Sequence, residues 1–214
     1  MRSSHLLFAS ALLVFAAGCD DQPAKDKSVA TVAAPSEATT PPPSGAVQYV
    51  FSDADSDLEF VGAKVTKKHD GSFEKFSGKI HLVDNDPLKS QVTVDVTTDS
   101  IKSDTEKLTG HLKSADFFDT AKFPKATFTS TAIKAGGEKG ASHTVTGNLD
   151  LHGVKKAITF PATIKVEGDS VDVSAEFAIN RKDFGIVYAG LPDDLIKDDV
   201  LIKLKIKAKK QGGA

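Results

Sequence analysis

Across most of the chain apolar and polar residues alternate with a period of two, segment after segment, and this confines the fold to antiparallel sheet with one buried face. Over 200–209, Ile202, Leu204, Ile206 and Ala208 share one face, and Lys203, Lys205, Lys207 and Lys209 share the other. Val92, Val94 and Val96 alternate with Thr93, Asp95 and Thr97, and Val171, Val173, Ala175, Phe177 and Ile179 with Asp172, Ser174 and Glu176. Val145, Gly147, Leu149 and Leu151 repeat the pattern, as do Ile158, Phe160, Ala162 and Ile164, and the stretches 58–66, 72–83 and 125–134 carry it more loosely. About eight strands result, many of them about ten residues long. Turns are expected at Asp70-Gly71 and Gly136-Gly137.

One stretch has a different period. Ser103-Asp104-Thr105-Glu106 has the spacing of a capping box, and Leu108, Leu112 and Ala115 recur at helical intervals, which predicts one short helix near 104–115. Long antiparallel strands with a single apolar face must pack on a second sheet or close on themselves, and closure removes exposed edges. The fold class is therefore all-β, and an antiparallel barrel of about eight strands has an interior either filled by side chains or just able to hold one small ligand. Periodicity does not separate a filled sandwich from an open barrel.

The N-terminal part obeys other rules. Residues 1–18 begin with Arg2, carry an apolar core from Leu6 to Phe15 and end in Ala16-Ala17-Gly18, the layout of a signal peptide. At about ten residues the apolar core is too short to cross ~30 Å of hydrocarbon. Cys19, the only cysteine, follows at once, and the run resembles the lipobox of bacterial lipoproteins. That resemblance makes Cys19 the lipidation site and the mature N-terminus, so that acyl chains would hold the protein to a membrane on the periplasmic side of a bacterial envelope. Asp20 slightly favours the inner membrane. Residues 19–46 contain Pro23, Pro35 and Pro41-Pro42-Pro43 and no aromatic residue. They read as a disordered Pro/Ala-rich tether that contributes nothing to the fold, ahead of one barrel domain over 47–210 and a tail at 211–214. The formal net charge of −2 and the lack of a basic stripe argue against nucleic acid as a partner.

Within the domain, His111-Leu112-Lys113-Ser114-Ala115-Asp116-Phe117-Phe118-Asp119-Thr120-Ala121-Lys122-Phe123-Pro124, followed by Thr127-Phe128-Thr129-Ser130-Thr131, resembles the central signature of the YceI-like family of periplasmic lipid-binding proteins. Val145-Thr146-Gly147-Asn148-Leu149-Asp150-Leu151-His152-Gly153-Val154-Lys155-Lys156 and Ile179-Asn180-Arg181-Lys182-Asp183-Phe184-Gly185-Ile186 resemble its next two blocks, in the same order. The resemblance implies an extended lipocalin-like barrel whose apolar cavity takes a polyisoprenoid or similar long-chain amphiphile, with a homodimer as a possible assembly. It also implies a binder rather than an enzyme. The alternatives are a stress-related envelope interaction protein with a filled barrel and a lipid-modifying enzyme.

Candidate cavity residues are Phe60, Phe117, Phe118, Phe128, Leu149, Phe177 and Phe184. The rings of Phe117, Phe118, Phe123 and Phe128 cluster where the helix returns to the sheet and are suited to line or plug one end of a barrel. With 13 Phe, no Trp and 2 Tyr, such an interior suits hydrocarbon. His111, His152 and Arg181 are candidates for a polar mouth; a guanidinium can hold a phosphate or carboxylate in bidentate fashion. The simpler reading of Arg181 is an ion pair with Asp183. His69, His81, His111, His143 and His152 never fall at metal-ligand spacing, and nucleophile-elbow, phosphate-loop and zinc-helix signatures are missing, so neither a metal, a cofactor nor a catalytic residue is expected.

Overall fold

The computed structural model describes residues 22–36 and 42–212; the signal peptide expected over 1–18 and the lipidation site expected at Cys19 lie outside them. In chain order the elements are β1 (Ser28–Val29), β2 (Thr31–Ala33), β3 (Val47–Ser52), β4 (Asp57–Ala63), β5 (Lys68–Phe73), β6 (Phe76–Val83), β7 (Asp86–Thr97), β8 (Ile101–Ser103) and α1 (Glu106–Lys113). There follow β9 (Lys125–Ala135), β10 (His143–Leu151), β11 (Val154–Glu167), β12 (Ser170–Asn180), β13 (Gly190–Leu191), β14 (Asp194–Leu195) and β15 (Asp199–Lys210). Among the described residues a closed ring of eight strands runs β12-β11-β10-β9-β7-β6-β3-β15, and β15 returns to pair with β12. Every contact in the ring is antiparallel. The expected barrel is therefore present.

Three staves are kinked. β3 turns into β4, β5 runs into β6, and β7 passes through a single 3-10 turn into β8, so that β4, β5 and β8 flare away from the ring on the upper half of β15. The upper end carries the connections 64–67, 104–124, 152–153 and 181–198. The lower end carries the tight turns, among them Asp84-Asn85, where both residues have positive φ (52° and 55°) as a type I′ hairpin requires. Tyr49, Leu82 and Val171 are buried at this base, and the Tyr49 hydroxyl donates to the Gly168 carbonyl at 3.2 Å.

Two local expectations are corrected. Asp70-Gly71 is no turn but the middle of β5, paired with Val61 and Phe60. The glycine is there for space, since a Cβ on Gly71 would lie 2.2 Å from Cζ of Phe60. The helix is shorter than expected and its cap is Thr105, whose Oγ1 accepts from the Leu108 amide at 3.3 Å, while Ser103 closes β8.

The third correction concerns the tether. The β11–β12 ladder stops at Thr163↔Ser174, and above that point the two strands part. Residues 28–33 fill the gap: β1 runs parallel to β12 (Ser28↔Phe177), and β2 runs antiparallel to β11 (Thr31↔Thr159). Ser28 and Ala30 are buried and Val32 packs on the core, while Val29 faces outward at 56% exposure. Ser36 and Asn148 then exchange two hydrogen bonds of 2.9 Å. This stretch is thus an extra stave. Its alternation of small residues is too weak a pattern to read as strand, but small side chains are what a narrow seam admits.

Candidate functional site: an apolar cavity

The inward faces of the barrel do not meet. A cavity of about 660 Å³ runs from the base towards the upper end, within the size range of ligand sites. Its walls are carbon almost throughout, contributed by every strand of the ring. Val92, Val94, Leu149, Val173 and Leu204 point inward by alternation and line it, yet none is fully buried, because the area they retain faces the void. Phe160 and Phe177 stack at 4.2 Å between ring centroids behind the extra stave, and Phe128 meets Phe160 at 5.8 Å.

The upper end narrows the cavity without sealing it. Leu112 of α1, Phe117, Ile101 and Ile186 form a second buried cluster that seats the helix and the 184–198 segment against the flared strands. Tyr188 and Leu191 continue the cavity wall along that segment. The segment is tied down by Arg181, which is 5% exposed. Its Nη1 donates to the Ile186 carbonyl at 2.7 Å, its Nε to Lys197 at 3.1 Å, and its Nη2 to Ile196 at 3.4 Å and to the Asp198 carboxylate at 3.2 Å. Burial pushes its pKa down from the ordinary arginine value and Asp198 acts against that. Lys64 hydrogen-bonds Asp194 and Thr66 Oγ1 donates to the same carboxylate at 2.9 Å, which holds the Asp194 carboxyl below the usual range.

Of the residues expected in the cavity, Phe60, Phe117, Phe118, Phe128, Leu149 and Phe177 line it. Phe184 does not. It is fully buried in the 3-10 turn after β12, where it anchors the core beneath the mouth. His152 does not reach the mouth either, because it sits in the β10–β11 turn at φ 54°, with Nδ1 3.2 Å from the Phe184 carbonyl and its ring against Phe123. His111 does border the cavity; its Nε2 is 2.9 Å from Asp116 and its ring meets Phe117 and Tyr188 edge-on. Arg181 touches the cavity, but its partner is Asp198 and not Asp183, and its donors are taken up by the segment it clasps. The sequence reading missed Phe51, Phe73, Phe76 and Tyr188 as lining, since they fall in loosely alternating or irregular stretches. Among the described residues no group of three or more His, Cys, Asp or Glu is placed to hold a metal.

Comparison with known proteins points one way. The family model for the YceI-like domain matches residues 49–208. A UPF0312 protein of Pseudomonas putida is 37% identical over 139 residues, covering 62% of this chain and 71% of that protein. Protein YceI of Salmonella newport is 37% identical over 122 residues, 54% of this chain and 62% of its own length. Among solved structures, Burkholderia cenocepacia BcnA superposes with a TM-score of 0.65 at 23% identity, over 74% of this chain and 99% of that one. A polyisoprenoid-binding domain from Saccharophagus degradans, implicated in plant cell wall breakdown, superposes at 0.61 with 19% identity, over 78% and 99%.

Proposed function

The chain belongs to the YceI-like domain family, and from that premise we propose that it is a binding protein of the cell envelope that holds a polyisoprenoid or another long-chain amphiphile inside its barrel. The observation that carries this reading is the cavity itself: about 660 Å³, walled by hydrocarbon, closed at the base and open at one end. Each methylene moved from water into such a site is worth ~0.8 kcal/mol. A long chain is therefore held by apolar contact alone, and the polar head group stays at the mouth, where Lys64, Lys107 and Lys197 border the opening. The polyisoprenoid-binding description of the Saccharophagus degradans domain supports this ligand class. The void argues against a filled barrel. Binding rather than catalysis is the activity we propose for this interior, whose walls are mostly methyls, methylenes and phenyl rings, with His69, His111, Arg181, Asp194 and the lysines confined to its upper end.

The second part of the proposal is the anchor. Cys19, after Ala16-Ala17-Gly18, would carry acyl chains and place the barrel on the periplasmic side of a membrane. One preparation tests both parts. The protein should fractionate with membranes and Cys19→Ser should release it or stall it as a precursor; an equally membrane-bound, processed variant would sink the anchor. Solvent extraction of the purified protein should yield a long-chain lipid by mass spectrometry. Leu204→Trp, which intrudes into the lumen from the middle of β15, should keep the circular dichroism of the parent and lose about tenfold or more of that lipid, since the ring displaces several methylenes. A parent that is empty and takes up no lipid would overturn the reading.

A further inference from the structure

Large apolar side chains stand in the open at several places, but only one set is clustered. Val65, Val187, Leu191 and Leu195 are 61%, 64%, 62% and 49% exposed, and all four lie on the two upper connections that border the cavity opening. Single exposed apolar residues need no explanation, whereas a group around one opening does. Val65, Val187 and Leu195 belong neither to the cavity wall nor to the core.

These tips are held outward. The two connections are joined by a bridge between Lys64 and Ile196 and by the Val65 amide donating to the Leu195 carbonyl at 3.1 Å. β13 and β14 turn the chain back over Pro192-Asp193, with Gly190 at φ 87°, and Lys64 and Thr66 fix Asp194 at its end. Behind them the Arg181 clasp holds Ile186, Ile196 and Lys197. An apolar tip on a segment tied at so many points does not fold back onto the barrel. The charged groups that line the cavity beside the tips are mainly positive, Lys64, Lys107, Arg181 and Lys197 against Asp194, which Lys64 pairs, and Lys67 stands two residues from Val65; acidic groups also stand near, Asp193 in the hairpin turn, Glu106 beside Lys107 and Asp116 against His111.

We propose that this rim is a bilayer-docking surface. Val65, Val187, Leu191 and Leu195 enter the head-group region of an anionic membrane and the lysines meet lipid phosphate, so the cavity opens into the acyl layer and its lipid exchanges without crossing water. The proposal rests on the lipid-binding reading above and adds how the site is loaded. Apolar contact together with attraction to anionic head groups is the physics of interfacial binding. A second copy is a poorer occupant, because an isologous contact through this rim would set lysine against lysine.

The chain contains no tryptophan, so Leu195→Trp in the full-length protein is a local reporter. On adding vesicles of phosphatidylethanolamine and phosphatidylglycerol its emission should shift to the blue and be quenched by brominated acyl chains, and high salt should weaken the effect. Leu88→Trp, at an exposed site of the opposite end, should show neither. Val65→Ser with Val187→Ser in the Leu195→Trp background should raise the vesicle concentration needed by about tenfold or more, from the lost apolar contact, while leaving the extractable lipid of the purified protein unchanged. A Leu195→Trp signal that ignores vesicles while the protein still takes up lipid would overturn the docking surface and spare the cavity. Equal quenching at Leu88→Trp would overturn it as well. A blue shift that depends on protein concentration and not on vesicles would assign the rim to a second copy. Quenching by a protein that never carries lipid would mean that the cavity reading itself had failed, and the loading role with it.

Discussion

Gly71 matters for the atom it lacks. The ring of Phe60 lies over it across the β4–β5 pair, and the same device recurs where Phe51 covers Gly78 and Phe128 covers Gly147, with a Cβ at those glycines falling 2.1 Å and 2.4 Å from the rings. A phenyl ring laid flat on a neighbouring glycine thickens the wall instead of entering the lumen, so three phenylalanines line the barrel without plugging it. In the sequence Asp70-Gly71 carries the hairpin signal and not this one, because cross-strand partners are unknown until the register is. His81 shows the residue scale acting through charge. Its Nε2 lies 3.2 Å from Gln48 Oε1, and Gln48 Nε2 in turn donates to Gln211, so Nε2 is the donor and the buried Nδ1, which has no partner, is left unprotonated. Burial first and Lys79 second push its pKa below the ordinary 6.5, and burial moves His143 the same way against Asp86. Below pH 6.5 the unfolded chain then binds more protons than the folded one, so stability is full above pH 6.5 and declines as the pH falls from there through the folded values. The melting temperature should drop between neutrality and about pH 5, and His81→Gln should remove part of the drop. A pH-independent melting temperature over that window would refute the assignment.

At the scale of elements, legibility tracked the strength of alternation. β15, β12 and the Ile158–Ile164 part of β11 could be read directly, since one face is apolar at every second residue and the other is mostly charged or hydroxylated. The extra stave at 28–33 could not. Ser28, Ala30 and Val32 offer little apolar area, and the flanking prolines resemble a linker, so only the parting of β11 from β12 shows why a strand belongs there. It supplies hydrogen-bond partners to both bare edges, including the Ala30 amide donating to the Ala178 carbonyl at 2.8 Å, and Lys27 reaches Glu176 at 2.8 Å. Each backbone bond is worth about 1 kcal/mol net, less the cost of ordering the segment. A chain that begins at Ala46 should therefore fold but melt lower by several degrees, since about 1 kcal/mol shifts a domain of this size by 2–4 °C. It should also exchange the amides of Ala157–Thr159 faster. Equal melting temperatures would show that the stave contributes nothing and that the segment is the tether it resembles.

For the whole molecule the open question in the sequence was whether opposing walls touch. Periodicity assigns faces but not the distance between them; that distance follows from strand number, stagger and the glycines that let rings lie flat. The resulting void of about 660 Å³ is far too large to be a packing defect. At ~24 cal/mol per Å³ an empty space of this size would cost on the order of 15 kcal/mol, as much as the whole stability of a typical domain. The fold tolerates the void because the walls are built as a closed hydrogen-bonded ring that does not depend on contact across the lumen. An occupant should then stabilise the molecule visibly. A ligand at one hundred times its dissociation constant adds about 2.7 kcal/mol to the folded state, which corresponds to roughly 5–11 °C at 2–4 °C per kcal/mol. Protein stripped of lipid by extraction and refolding should melt lower than the protein as purified by about that margin. Adding back a long-chain isoprenoid alcohol or phosphate should restore the difference, and restore it less in Leu204→Trp, whose lumen is narrowed by the ring. If stripped and untreated protein melt together, and the added chain moves neither, the barrel is stable hollow and the cavity holds nothing that the protein was built to carry.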